Sequence, residues 1–100
     1  SKIVVISDDV YEKFLYGTSD CPHLLRLKPT LRERVLIANS VSKTYAMTGW
    51  RLGYAAGPTE LIKAMETIQS QSTSNPSSLA QAAAIEALVG EQRQVGVMAA

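Results

Sequence analysis

The chain has 100 residues, 46% of them apolar and 19% charged, with a net charge of +1. This is the composition of one small soluble domain, without the basic or acidic excess that nucleic-acid and membrane-surface binders need. Its apolar runs are too short to span a bilayer, and the single Cys21 excludes an internal disulfide or a cysteine zinc cluster while fitting a reducing, cytoplasmic setting.

The chain opens at Ser1 directly on the strand-like run Lys2-Ile3-Val4-Val5-Ile6-Ser7. Unbroken Ile and Val over residues 3–6 suits a strand covered on both faces, as in the parallel sheets of α/β proteins. Ser7-Asp8-Asp9 ends that strand, and residues 10–16 follow as a short helix or turn with Asp8 or Asp9 as its N-cap. Gly17, Thr18, Ser19, Asp20, Pro22 and Pro29 mark residues 17–29 as loop. A second strand is predicted over residues 35–38, a loop over 40–48, and a third strand over 50–56, closed by Gly57-Pro58.

Thr59 is predicted to cap a helix over residues 60–70, whose apolar face is Leu61, Ile62, Met65 and Ile68. Residues 70–78, rich in Ser, Thr and Asn around Pro76, read as loop. Ser77 or Ser78 then caps an alanine-rich helix that runs through Val89, and Gly90 breaks it. A third helix starts from Glu91 and is still running at Met98-Ala99-Ala100. Both ends therefore read as cuts, and an internal piece of a larger protein is expected. There are no repeats or low-complexity tracts.

The connection between strands two and three is too short for a crossover helix, so these strands are expected to be antiparallel. The longer connection between strands one and two allows a parallel pair. The sheet is thus expected to be mixed, with covering layers supplied from outside the segment.

Polar residues collect at the strand ends: Asp8 after the first, Ser40 and Lys43 after the second, and Arg51 at the start of the third. Ligands of open α/β sheets bind off the carboxyl ends of strands, so these residues and Tyr11 are expected to share one crevice. A lysine in such a place is rarely idle. Taken singly, each residue has an ordinary reading: Lys43 and Arg51 as surface charges, Asp8 as a turn residue, Tyr11 as a half-buried aromatic.

Together, the pattern Ser40-x-x-Lys43-x-x-x-x-x-Gly49-x-Arg51-x-Gly53 resembles the pyridoxal-phosphate attachment motif of class I, fold-type I aminotransferases. Asp8-Asp9-Val10-Tyr11 is similar to the family's Asp-x-x-Tyr cofactor segment. The resemblance runs from about Ile3 to Val89 and is closest to the bacterial aspartate-type enzymes. It implies an α/β fold: part of the mixed, mostly parallel sheet of the large domain, with flanking helices. Residues 1–100 would be the central part of that domain, without the rest of it and without the small domain.

The resemblance also implies roles. Lys43 would form the Schiff base with pyridoxal 5′-phosphate and later shuttle the substrate proton. An attacking amine must be unprotonated, which burial near a cationic arginine favours. Asp8 would pair with the pyridine nitrogen and keep the ring an electron sink. Tyr11 would hydrogen-bond the phenolic oxygen. Arg51, with its planar fork, and Ser40 would hold the phosphate. Gly49 and Gly53 would permit close backbone approach or unusual dihedrals. Adjacent strand residues point to opposite faces, so Asp9 is read as a cap or surface charge. His23 is read as structural or solvent-facing, Cys21 is given no chemistry, and Met47 and Trp50 are core or site wall.

The implied reaction is transamination between an amino acid, aspartate first and prephenate or an aromatic amino acid next, and a 2-oxo acid. The implied enzyme is a cytoplasmic homodimer of amino acid metabolism, with the loop Ser72-Thr73-Ser74-Asn75-Pro76 at the dimer interface near the partner's cofactor. No metal, nucleic acid or membrane is expected, and the segment alone is expected to be inactive. Two other readings share the motif: a fold-type I β-lyase, decarboxylase or cyclopropane-carboxylate synthase, and a non-catalytic aminotransferase-like regulatory domain.

Overall fold

The computed structural model describes residues 3–17 and 20–99. Ser1 lies outside the described residues, as do Lys2, Thr18 and Ser19, and Ala100, which the sequence assigns to the first strand-like run, the following loop and the last helix. In chain order the elements are β1 (Val5–Asp8), α1 (Leu24–Leu27), a 3-10 helix (Pro29–Arg34), β2 (Val35–Ser40), a 3-10 turn (Thr48–Trp50), β3 (Gly53–Ala56), α2 (Thr59–Ser72), α3 (Ser78–Val89) and α4 (Arg93–Ala99). They fall into two compact units.

The first unit combines the segment ending at Asp9 with Pro22–Asn39 and Tyr54–Asn75. Its sheet has the order β1-β2-β3. β1 and β2 are parallel, in a register that runs from Val5↔Val35 to Asp8↔Ala38. Gly57, just beyond β3, lies against the start of β2: a Cβ there would sit 3.1 Å from Val35 O and 3.3 Å from Leu36 Cα. β3 therefore runs back along β2, and the sheet is mixed, as the short connection predicts.

The first strand is shifted from its predicted place. The apolar run suggests residues 3–6, but pairing starts at Val5 and continues through the polar Ser7 and Asp8, because β2 offers partners up to Ala38. Along β1, half-buried Val5 and Ser7 alternate with exposed Ile6 and Asp8. One face of β1 is thus covered within this chain and the other is exposed, in keeping with the expectation that this segment does not cover both. The core of the unit is Val35 and Leu36 at the start of β2. Burying two such side chains contributes roughly 3–6 kcal/mol.

The predicted loop over residues 17–29 holds α1, a single turn closed by Lys28 N–H on Leu24 O at 2.8 Å. Pro29 opens the 3-10 helix, where its missing N–H leaves no bond unmade. α2 also starts differently. Pro58 is the N-cap and Thr59 the first helical residue, with no side-chain cap; Pro58 O accepts Ile62 N–H at 3.0 Å. The helix runs past its predicted end to Ser72, and within it the Thr67 and Ser70 hydroxyls donate to Lys63 O and Thr67 O. Of its apolar face, Leu61 and Ile62 are half-buried, whereas Met65 and Ile68 are exposed.

The second unit combines Val10–Cys21, Ser40–Gly53 and the segment from Pro76 onward. Its core is Val41, Thr44, Ala80 and Ala84. Ala80 and Ala84 are four residues apart on α3, so one small-residue stripe of that helix is the buried one. Gln81 Nε2 donates to Pro76 O at the start of α3, and Gly90 N–H donates to Glu86 O at its end. α4 begins at Arg93 rather than at the predicted 91, because Gln92 folds back onto Ala87 O and Gly90 O.

Among the described residues, no helix is long and apolar enough to cross a membrane, and no cluster of His, Cys, Asp or Glu could hold a metal ion.

Candidate active site

Lys43 lies three residues past the end of β2, in a series of tight turns. Tyr45 N–H donates to Val41 O, Ala46 N–H to Lys43 O and Met47 N–H to Ser42 O, at 3.1–3.3 Å. Val41 and Thr44, on either side of Lys43, are buried at 0% and 6% exposure. These two anchors fix the turn, and the half-buried Lys43 side chain leaves it in a set direction.

That direction leads to Tyr11. Lys43 Nζ stands 5.6 Å from the centroid of the Tyr11 ring, within cation–π range. Tyr11 sits in the turn after β1, where Tyr11 O accepts Phe14 N–H at 2.9 Å. Its ring meets Phe14 edge to face, with centroids 6.0 Å apart. Lys43 and Phe14 also line a cavity of about 20 Å³ with Lys13, Thr44, Val95 and Met98. Two cations thus border one small space.

Ser40 closes β2 and is half-buried, its Oγ accepting Ser42 N–H at 3.1 Å. Arg51 does not begin β3, as the sequence suggests. It follows the 3-10 turn in a left-handed conformation, with φ 52° and ψ 55°. This reversal delays the strand to Gly53, and Arg51 Nη1 donates to Thr48 O at 2.9 Å. Ala46, between Lys43 and Arg51, is also left-handed, with φ 53°. Non-glycine residues in this region carry strain, which concentrates at functional segments. Trp50 and the half-buried Met47 flank Arg51 and Ala46 in the same stretch.

Asp8 closes β1 on its exposed face, beside Ile6 in the alternation. Asp9 differs from its predicted role as a cap or surface charge. Its carboxylate accepts Ser7 Oγ–H at 2.7 Å and His23 Nδ1 at 3.0 Å, and its side chain is 13% exposed. His23 is thereby structural, as read from the sequence. A second link that the sequence does not suggest joins Tyr45 to Gln92: the phenol donates to Gln92 Oε1 at 3.1 Å. Burial, with Glu12 adding to it, raises the Tyr45 pKa above its ordinary 10.0, so the phenol stays a donor. Neither link has a spacing signal, since the partners are 14 and 47 residues apart.

Comparison with known proteins identifies the family of the chain. The family described as aminotransferase class I and II matches residues 1–100. The aspartate/prephenate aminotransferase of Cereibacter sphaeroides is 56% identical over 91 residues, covering 91% of this chain and 23% of that protein. The aspartate aminotransferase of Geobacillus stearothermophilus is 49% identical over 96 residues, covering 96% of this chain and 24% of that protein. The crystal structure of the Rhizobium meliloti aspartate aminotransferase superposes with a TM-score of 0.90 at 50% identity, over 94% of this chain and 24% of that one. The chain thus spans about a quarter of the length of the relatives it matches.

Proposed function

The chain belongs to the class I and II aminotransferases, and from that premise we propose that it is the cofactor-attachment segment of a pyridoxal-phosphate-dependent aminotransferase, with Lys43 as the attachment residue. Residues 1–100 are then the central part of the cofactor-binding large domain of a cytoplasmic homodimer of amino acid metabolism. Its substrates are aspartate, or a similar amino acid, and a 2-oxo acid. The names of the relatives support this choice.

The single observation that carries the reading is the placement of Lys43 Nζ: anchored on both sides by buried residues and held over the Tyr11 ring. The side chains fit the group. Pyridoxal phosphate offers an aldehyde, a phenolic oxygen, a basic ring nitrogen and a phosphate dianion. The segment offers an amine at Lys43, a phenol at Tyr11, a carboxylate at Asp8, and a guanidinium and hydroxyl at Arg51 and Ser40. When bound, the cofactor supplies an electron sink that stabilises negative charge at the substrate Cα.

The remaining work is done by residues of the chain. Lys43 Nζ would hold the cofactor and, as a free amine, would take the proton from the substrate Cα. Asp8 holds a proton on the ring nitrogen by its negative charge. Tyr11 donates its O–H to the phenolic oxygen. Arg51 would hold the phosphate with its guanidinium, joined by the Ser40 hydroxyl. The left-handed turn at Arg51 is what directs its side chain, since β3 begins only at Gly53.

The test uses the full-length enzyme. The wild type is expected to retain a visible cofactor band through gel filtration and to transfer the amino group of aspartate to 2-oxoglutarate. Lys43→Ala is expected to lose the band and the transfer. A band that persists in Lys43→Ala would overturn the attachment assignment. Elimination or decarboxylation without transfer would move the enzyme to another reaction of the fold.

A further inference from the structure

We propose that Asp9 and His23 are positioning residues that set the Asp8 carboxylate at the end of β1; the inference rests on the assignment of Asp8 to the cofactor ring nitrogen. Asp9 adjoins Asp8 but faces the other way. β1 alternates, so Ser7 and Asp9 share one face while Ile6 and Asp8 share the opposite one. The Ser7–Asp9 hydrogen bond follows from that alternation.

Three bonds hold Asp9. Its N–H donates to Ala38 O at 2.9 Å, one ladder bond beyond the last register pair, Asp8↔Ala38. Its Oδ1 accepts from Ser7 Oγ at 2.7 Å, and its Oδ2 meets His23 Nδ1 at 3.0 Å. A carboxylate only accepts, so Nδ1 carries the hydrogen whether the imidazole is neutral or charged. His23 is itself fixed, because its carbonyl accepts the N–H groups of Arg26 and Leu27 at the start of α1. The tie therefore runs from the strand end to a separate segment 14 residues away.

Strand ends are where ladders fray. Here the residue just past Asp8 is tied through its backbone N–H and through both carboxylate oxygens, so the peptide that follows Asp8 is held in place. The same pairing keeps the Asp9 charge on the face away from Asp8. Without His23, Asp9 would be a half-buried carboxylate missing one partner, and turning toward water would pull on the peptide that carries Asp8.

The test is made in the full-length holoenzyme carrying 15N-labelled pyridoxal phosphate, with Asp8→Asn as reference. His23→Ala is expected to shift the 15N resonance of the ring nitrogen in the direction seen for Asp8→Asn. The same variant should weaken apoenzyme affinity for pyridoxal phosphate and lower kcat roughly tenfold or more, with KM nearly unchanged. His23→Asn, whose Nδ2 takes the place of Nδ1, should restore the 15N position and most of kcat. Ser7→Ala, which leaves the imidazole in place, should move the same readouts less. A His23→Ala enzyme with lowered thermal stability but a wild-type 15N resonance and cofactor affinity would overturn the proposal, as would failure of His23→Asn to rescue. If Asp8→Asn leaves the ring-nitrogen resonance unmoved, the assignment of Asp8 fails and takes this inference with it. If Asp8→Asn moves it and His23→Ala does not, only the inference falls.

Discussion

Lys43 Nζ stands 5.6 Å from the centre of the Tyr11 ring, so the cation and the phenol reach the same place from turns 32 residues apart in sequence. The ring face and the hydroxyl of Tyr11 then have separable jobs. The face steadies the amine by a cation–π contact of about 0.5–1 kcal/mol. The hydroxyl is the donor proposed for the cofactor's phenolic oxygen.

Tyr11→Phe keeps the face and removes the donor. In the full-length enzyme it is expected to retain the cofactor on Lys43 and to lose roughly tenfold in kcat, the size of one hydrogen bond to a charged oxygen. Tyr11→Leu removes both and is expected to weaken cofactor retention as well. Gel filtration followed by absorbance measures retention, and steady-state kinetics measures the rest. Equal effects of the two variants would show that the hydroxyl has no role of its own.

The left-handed Ala46 allows a prediction of unusual sign. Alanine in this conformation costs about 1–2 kcal/mol, whereas glycine adopts it freely. Glycine also loses about 0.4–1 kcal/mol more chain entropy on folding. Ala46→Gly is therefore expected to be neutral or stabilising by up to about 1.6 kcal/mol. The same change at Ala84, buried in α3, is expected to destabilise by at least 0.5–1 kcal/mol. Thermal melts of the two variants check the contrast. Destabilisation of similar size at both sites would show that Ala46 is not strained.

The strands and long helices were legible because their signals are local. Val35-Leu36-Ile37 is a β-branched and aliphatic run that forms the start of β2, with Val35 and Leu36 buried. Ser77 and Gly90 bracket α3 as its caps. The short connection between β2 and β3 pointed to their antiparallel pairing. The pieces that escaped depend on contacts or on single backbone torsions. Leu24-Leu25-Arg26-Leu27 is too short to show a helical period, and its single turn is closed by backbone bonds to His23 O and Leu24 O. β3 begins late because Arg51 reverses the chain, which no periodicity reveals. Within the candidate site, Lys43, Tyr11, Asp8, Ser40 and Arg51 were legible as a motif. The ties from Asp9 to His23 and from Tyr45 to Gln92 were not, since each joins residues distant in sequence.

Gly57 gives a prediction about the sheet. A methyl group there would meet Leu36 Cδ1 at 2.9 Å, and backbone atoms of Val35 and Leu36 at 3.1 and 3.3 Å. The Leu36 side chain has room to move only if the core opens, and the backbone belongs to the central strand. Gly57→Ala is expected to destabilise by about 1–3 kcal/mol, the usual range for overpacking. Chemical denaturation of the enzyme measures it. An unchanged midpoint would mean that β3 does not lie as close to β2 as its end at Gly57 indicates.

Tyr45 makes the stability of the Lys43 turn depend on alkaline pH. Its phenol is held above the ordinary 10.0 by burial first and by the Glu12 charge second, and it donates to Gln92 Oε1. The folded state therefore keeps this proton at a pH where the unfolded chain has released it. Stability falls wherever the folded state binds more protons than the unfolded state. The contribution of Tyr45 is thus fully present below about pH 10 and is lost as pH rises through the raised folded value. Gln92 transmits the loss, since its Nε2 donates to Ala87 O and Gly90 O at the α3–α4 junction. Tyr45→Phe has no proton to lose. It is expected to be slightly less stable than wild type at pH 8, by about 0.5–1.5 kcal/mol for one hydrogen bond, and to show a shallower decline above pH 10. Melting temperatures of both proteins between pH 8 and pH 11 test this. Parallel curves would show that the Tyr45 phenol does not titrate differently in the folded and unfolded states, and that the turn is held without it.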